Sequence, residues 1–350
     1  MPNTLNVGIV GTGIFARDRH LPSYQEMPEH FRVTAAFNRT RSKAEAFAEV
    51  AEISKDKVYD NLDEILADES ISFIDALLPA QFNATTVVKC VAANKPVILE
   101  KPIAATIAQA REIVKIAETT SVPVGIAENW LFLEVAKTVK KYLPKIGPLS
   151  AFTYNSTGPF IFHNKYLATS WRKNPEHIGG FLSDGGVHQL AFLVDILGEV
   201  HSVSAHTKQV RPQSGTDDVV FSTVRMKKND LIGTFTYGSA FGSCEKSVFL
   251  KVYGLNGSLL VNLSEKRAPK VTVIIGDSAE ADAKTEEFTV KEDGSFGVNA
   301  EFLNFYEAVS KKDKSLVKGS PRIAFHHLAI VAAFLESSAK NGDNVVIENP

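Results

Sequence analysis

With 350 residues, 38 basic and 40 acidic side chains and a formal net charge of −2, the chain is too long for one ordinary core and lacks the charge excess of a nucleic-acid binder. Its 44% apolar residues suit a globular enzyme of two domains. No apolar run approaches the ~20 residues of a membrane span and the first residues lack the features of a signal peptide, so a cytoplasmic protein is expected. Two cysteines, Cys90 and Cys244, exclude a disulfide framework and read as reduced thiols, Cys90 at a buried helical position.

Leu5–Val10 reads as a strand buried on both faces, and it breaks into Gly11-x-Gly13-x-x-Ala16, the spacing of a dinucleotide fingerprint. Gly11 permits the tight turn from strand to helix, Gly13 carries no Cβ to block a pyrophosphate, and Ala16 lets the helix pack close to the strand. The helix starting at Ile14 offers unpaired amides, so Gly11, Thr12, Gly13, Ile14 and Phe15 form the expected phosphate cradle.

The next strand, Val33–Phe37, ends at neutral Asn38, where an NAD-preferring site would place a carboxylate about 20 residues past the glycines. Arg39 and Arg41 offer planar donors for a 2′-phosphate and for stacking on adenine, and Thr40 adds a hydroxyl. This set predicts NADP(H) rather than NAD. The alternation continues through a helix from Ser42, then Asn61–Ala67, Phe73–Leu77, Phe82–Ala93, a strand at Val97–Leu99, a Thr106-capped helix to Thr119, and Val122–Ala127. Residues 1–127 are therefore expected to form a doubly wound parallel sheet.

From residue 128 to 350 the pattern predicts a separate α+β domain with a largely antiparallel sheet. A helix at Leu131–Leu143 leads to a strand near Leu149–Asn155, an aromatic loop and a helix from Ser183. Strands follow at Ser202–Val210, Val219–Met226, Ile232–Tyr237, Ser247–Tyr253, Ser258–Val261 and Lys270–Ile275. The polar stretch Gly276–Glu287 is expected to be an exposed loop, and helices at Val298–Ser310 and Arg322–Lys340 close the chain. No internal repeat is visible.

Two stretches carry candidate chemistry. Glu100-Lys101-Pro102 sits at the carboxyl end of a strand, where α/β sheets bind ligands, and Lys101 would hold a donor beside a nicotinamide. Lys-Pro bonds adopt cis as well as trans. In Gly179-Gly180-Phe181-Leu182-Ser183-Asp184-Gly185-Gly186-Val187-His188, Asp184 and His188 are four apart and share a helix face. A histidine supported by a carboxylate suits general acid/base work, although an ordinary core histidine would leave the same pattern. Phe160, Phe162, His163, Tyr166 and Trp171 crowd the preceding loop, as pocket lining or as cover for an apolar core.

Taken with GIVGTGIFARDRHLP, ALLPAQFNA, PVILEKPIA, EHIGGFLSDGGVHQL and FGVNAEFLNF, these motifs give a chain that resembles, over nearly its full length, the Gfo/Idh/MocA family of NAD(P)-dependent oxidoreductases. It looks most like cytosolic NADP-dependent members from budding yeasts. The resemblance implies a Rossmann domain followed by a domain on a large open sheet, whose outer face commonly joins subunits into a homo-oligomer. It also implies that Lys101, Asp184 and His188 form the active site. Where many members read Thr-Pro-Asn-x-x-His, this chain has Leu78-Pro79-Ala80-Gln81-Phe82-Asn83, so Leu78, Pro79 and Gln81 are expected at the cofactor while Asn83 replaces the histidine. Glu100, Asn129 and the pair Trp171-Arg172 complete the expected cofactor contacts.

The expected function is hydride transfer between NADP(H) and a sugar-like, polyol or aldehyde/ketone substrate. A non-catalytic NADP-responsive regulator of the same fold is the competing reading. A metal-dependent dehydrogenase using His177, His188 and Asp184 is weaker, because no zinc-site spacing occurs, and no metal is expected. Of the remaining histidines, His20 is assigned to packing or capping, His201 and His206 to a strand, and His326-His327 to a helix surface with partial burial.

Overall fold

The run Leu5–Val10 forms β1, with every residue but Asn6 buried, at the middle of a six-stranded parallel sheet ordered β3-β2-β1-β4-β5-β6. Its partners are β2 (Phe31–Phe37), β3 (Val58–Tyr59), β4 (Phe73–Ala76), β5 (Val97–Glu100) and β6 (Val124–Ala127). The strand order reverses between β1 and β4, and ligands of such sheets bind beyond the carboxyl ends of the strands at that point. The computed structural model describes residues 4–163, 175–279 and 282–350. It divides into one unit of residues 1–129, 298–325 and 350 and a second of residues 130–297 and 326–349.

In the first unit the helices following the strands are α1 (Leu21–Gln25, preceded by a π-helical turn at Ala16–His20), α2 (Arg41–Val50), α3 (Leu62–Ala67), α4 (Asn83–Ala92) and α5 (Ile107–Thr119). Local chemistry fixes their starts. Asn61 accepts from the Glu64 amide and donates to its carboxylate, and Thr106 accepts from the Gln109 amide, which satisfies amides that helix ends leave open. Cys90 is fully buried on α4, and burial pushes its thiol up to about 12, so it packs as an unreactive apolar residue.

The segment expected with the second domain as Val298–Ser310 belongs instead to the first unit, as α8 (Val298–Lys311). The reason is aromatic packing within that core. Phe302 stacks on Tyr24 at 4.3 Å and 6°, and Phe305 meets Phe73 edge to face at 5.4 Å. A helix pattern states which face is apolar and not which sheet will cover it.

The second unit is built on nine strands: β7 (Leu149–Pro159), β8 (Val200–Lys208), β9 (Val219–Met226), β10 (Ile232–Phe241), β11 (Ser247–Gly254), β12 (Gly257–Asn262), β13 (Lys270–Ile275), β14 (Lys284–Thr289) and β15 (Val345–Val346). They form one sheet ordered β14-β13-β12-β11-β7-β10-β9-β8-β15, antiparallel except where β7 pairs in parallel with β10. Strict alternation along β9 (Val219–Met226) from Val220 on turns one set of side chains inward and leaves Phe221, Thr223 and Arg225 outward. Inside, Tyr154 stacks on Phe235 at 5.2 Å and Phe235 on Phe334 at 5.5 Å, while the Tyr154 hydroxyl donates to Gln189 at 2.8 Å. Gln189 lies on α7 (Gly180–Leu197), which starts earlier than the expected Ser183, and Phe334 lies on α9 (Pro321–Ala339).

Three further expectations change. Leu131–Leu143 is a shorter helix, α6 (Glu134–Tyr142), flanked by 3-10 turns, and the Glu292 carboxylate accepts from the first amides of α6 at 3.0 and 2.8 Å. The tail of the loop expected at Gly276–Glu287 is an edge strand, β14 (Lys284–Thr289), paired antiparallel with β13 (Lys270–Ile275). Its Lys284, Glu286 and Glu287 hide the strand pattern, since charges on an outermost strand discourage further pairing. His326 and His327 are both buried. The His326 Nε2 accepts from the Val200 amide at 3.0 Å, and burial lowers its imidazole to about 4, so it stays neutral as an acceptor. Among the described residues no helix is long and apolar enough to cross a membrane.

Candidate active site

In the first unit the fingerprint glycines follow β1 directly. Gly11 takes φ +97°, a left-handed conformation, and an added Cβ would strike the carbonyl oxygen of Leu77 on the neighbouring strand end. Gly11 and Leu77 are tied there by amide bonds of 2.8 Å to Phe37 and Val10. At Gly13 the opposite holds: a Cβ built on its backbone meets no atom within 4 Å. Between them the Thr12 hydroxyl is buried without a partner. Open approach at Gly13, an orphaned donor at Thr12 and helix amides from residue 14 fit a pyrophosphate. Ile14 and Phe15 are half-buried on that first turn, and Ala16 is buried against the sheet.

At the end of β2 the Asn38 Oδ1 accepts from the Thr40 amide at 2.9 Å, forming a small polar turn. Arg41, expected at the cofactor, forms ion pairs with Glu45 at 3.0 Å and Asp60 at 2.5 Å. Arg39 is exposed and makes no ion pair among the described residues, so it is the freer of the two guanidinium groups. Leu78, Pro79 and Gln81 are half-buried on the segment after β4.

The Glu100-Lys101-Pro102 turn ends β5, and the Lys101-Pro102 peptide is cis. Asn83, which stands in place of the family histidine, is fully buried beneath it. Its amide Nδ2 lies 3.1 Å from the Glu100 carbonyl, 3.2 Å from that of Pro102 and 3.1 Å from that of Ile103. Three acceptors around one nitrogen fix the amide orientation, and with it the backbone that carries Lys101.

Beside this turn lies a buried ionic network that the sequence did not announce. His20, assigned to packing or capping, bonds through Nδ1 to Asp75 at 2.7 Å and through Nε2 to Glu100 at 3.1 Å. The Tyr24 hydroxyl donates to the same Asp75 oxygen at 3.0 Å. Burial alone would lower the His20 imidazole, yet Asp75 and Glu100 outweigh it and raise it to about 10. Glu301, on α8, is held well above its ordinary range, first by burial and then by Glu100, Glu128 and Asp75, with His20 opposing. Its surroundings therefore favour the neutral acid form. No local pattern could have revealed this set, whose His20 partners lie 55 and 80 residues away.

In the second unit, α7 places Asp184 and His188 on one face, both half-buried. The glycines ahead of them are demanded by the backbone and the packing: Gly179 and Gly180 have φ +72° and +43°, and a Cβ on Gly185 would overlap the Tyr237 hydroxyl. Burial, and then Asp184, push the Tyr237 hydroxyl well above its ordinary range, so it stays a neutral donor. The Trp130 indole stacks on the His188 ring at 5.9 Å and 19°, a contact with no sequence signal beyond the aromatic itself. Asn129 immediately precedes it and is half-buried. Phe160 is buried and Phe162 exposed, with the Arg211 guanidinium 5.7 and 5.6 Å from their ring centres, and His163 is exposed. His177 bonds to the Gly180 carbonyl at 3.2 Å. Tyr166, Trp171 and Arg172 lie outside the described residues.

Residues 5–128 match the family profile described as oxidoreductase family, NAD-binding Rossmann fold, and residues 141–347 match that of its C-terminal alpha/beta domain. An uncharacterized protein of Saccharomyces cerevisiae is 67% identical over 346 residues, 99% of each chain. A scyllo-inositol 2-dehydrogenase (NADP(+)) of Bacillus subtilis is 22% identical over 375 aligned residues, 99% of this chain and 97% of that one. Among solved structures, an oxidoreductase from Thermotoga maritima superposes with a TM-score of 0.85 at 30% identity, covering 99% of both chains.

Proposed function

The chain belongs to the Gfo/Idh/MocA oxidoreductase family, and from that premise we propose that it transfers hydride between NADP(H) and the carbonyl or alcohol carbon of a sugar-like, polyol or aldehyde/ketone substrate. The observation that carries this reading is the cradle, with open approach at Gly13 beside the buried, unpartnered Thr12 hydroxyl. NADP over NAD is supported by Asn38, which brings no carboxylate to repel a 2′-phosphate, and by Arg39, exposed and outside any ion pair among the described residues. The substrate class is supported by the likeness to an inositol dehydrogenase that uses NADP.

The nicotinamide supplies the redox chemistry when bound, and the protein supplies binding, orientation and proton handling. Gly11, Thr12, Gly13, Ile14 and Phe15 would hold the pyrophosphate, Arg39 the 2′-phosphate, and Leu78, Pro79 and Gln81 the ribose side. Lys101 would donate to the substrate oxygen and stabilise its developing charge, a role that the Asn83 clamp on its turn supports. In reduction His188 would give a proton to the substrate oxygen, and in oxidation it would take that proton back. Asp184 would orient and support the imidazolium, and Trp130 restricts the ring on one face.

The test is a screen of NADPH oxidation against sugars, aldehydes and diketones, with NADP⁺ reduction against polyols in parallel and NADH and NAD⁺ as controls. Turnover with at least one carbonyl or polyol substrate, preferring NADP(H), is the expected result. Tight NADPH binding with no turnover anywhere would favour a regulator in place of an enzyme.

A further inference from the structure

His20 has no role in the substrate or cofactor chemistry assigned above, yet it is among the most constrained side chains in the first unit. It closes the π-helical turn Ala16–His20, an irregularity that often marks a functional position. Its ring is wedged edgewise between Phe15, 5.3 Å away, and Phe302, 5.0 Å away, and it is almost wholly buried. Asp75 in β4 aligns with Ile98 in β5, so Asp75 and Glu100 rise from adjacent strands to opposite edges of the imidazole. A neutral imidazole has one donor and one acceptor nitrogen, whereas here both nitrogens face carboxylate oxygens. An imidazolium satisfies both contacts at once; a neutral ring would need a proton on Glu100 or Asp75.

The charge balance favours the imidazolium. The groups facing this pocket are Asp75 from β4, Glu100 from β5, Tyr24 from α1, Glu301 from α8 and Glu128 after β6, and His20 is the one basic group among them. A second carboxylate left uncompensated in such a dry site would be costly. The Glu100 carboxylate belongs to the residue immediately before Lys101, and the carbonyls of Glu100, Pro102 and Ile103 are gripped by Asn83. The turn is thus held on its side-chain side by His20 and on its backbone side by Asn83.

We propose that His20 is a positioning residue: a permanently charged imidazolium that clamps Glu100 and, together with Asn83, fixes the turn presenting Lys101 to the substrate oxygen. The proposal rests on the reading of Lys101 as the oxygen-binding donor, and its test separates the two. In histidine-¹⁵N-labelled full-length protein, one imidazole should show both nitrogens protonated and unchanged between about pH 6 and pH 9, and should vanish in His20→Gln. A His20 ring with one unprotonated nitrogen in that range overturns the clamp without any substrate. With the substrate found by screening, at saturating NADPH and with rates normalised to titrated NADPH sites, Glu100→Ala and His20→Gln should each lower kcat about tenfold or more. Glu100→Gln keeps an oxygen acceptor for Nε2 and should recover most of the loss; a purely structural role would track melting temperature and show no such recovery. Should His20→Gln fail to fold, the two Glu100 variants carry the kinetic arm. Normal kcat in Glu100→Ala, where Lys101→Met is inactive, overturns the clamp alone. Normal kcat in Lys101→Met, or a screen without turnover, overturns the parent reading whatever the imidazole spectrum shows.

Discussion

Alanine at the two fingerprint glycines should separate folding from binding. At Gly13 the new methyl meets nothing within 4 Å, so stability should change by no more than about 0.5–1 kcal/mol, and in the stabilising direction if unfolded-state entropy dominates. The same methyl occupies the approach of the pyrophosphate; losing one charge-assisted amide contact of roughly 1.5–3 kcal/mol weakens NADPH binding about 10- to 100-fold. At Gly11 the methyl meets a φ of +97° and the Leu77 carbonyl. A left-handed residue costs about 1–2 kcal/mol and overpacking against fixed backbone about 1–3 kcal/mol, together lowering the melting temperature by roughly 5–15 °C. Calorimetry of both variants, NADPH fluorescence titration, and the rise in melting temperature at saturating NADPH read out each effect. A Gly13→Ala protein that binds NADPH like the parent, or a Gly11→Ala protein that melts like it, would refute the geometry assigned to the cradle.

Three other outcomes follow from the same structure. Arg39→Ala should weaken NADPH by about 10- to 100-fold while leaving NADH nearly unchanged, and Asn38→Asp should shift preference further toward NADH; equal losses for both cofactors would count against the 2′-phosphate assignment. Glu301 has a raised folded-state pKa, so the stability it contributes is full below the unfolded value near 4.5 and declines as pH rises. Glu301→Gln needs no proton, so its advantage over the parent should grow as pH rises above about 5, by up to about 1.4 kcal/mol per pH unit; a difference independent of pH would show that the Glu301 carboxyl is not raised in the folded state. The family resemblance implies an oligomer through the open sheet face, where Phe221 and Ile232 are 54% and 58% exposed on paired strands. Light scattering should show an oligomer that Phe221→Asp with Ile232→Asp dissociates; an unmodified protein that runs as a monomer at micromolar concentration would remove that assignment.

What could be read in advance was what local pattern encodes. Leu5–Val10 and the glycines after it announced the parallel sheet and its ligand edge because a doubly buried strand and a tight turn leave few residue choices. The glycines before Asp184 were legible as an unusual helix start, although the reason, the Tyr237 hydroxyl beside Gly185, lies some fifty positions on. The charges of β14 serve an edge position and so mask its strand pattern, and the amphipathicity of α8 does not say that its apolar face packs in the first unit. His20, Asn83 and Glu301 were invisible for one shared reason: each draws its meaning from groups distant in sequence that burial brings into contact.

The most direct test of hydride transfer at this site is Lys101→Met, which removes the ammonium and retains a side chain of similar length. Steady-state turnover should fall by about 100-fold or more while the NADPH dissociation constant changes by less than about twofold. A variant that turns over at close to the parent rate would contradict the assignment of Lys101 to the substrate oxygen.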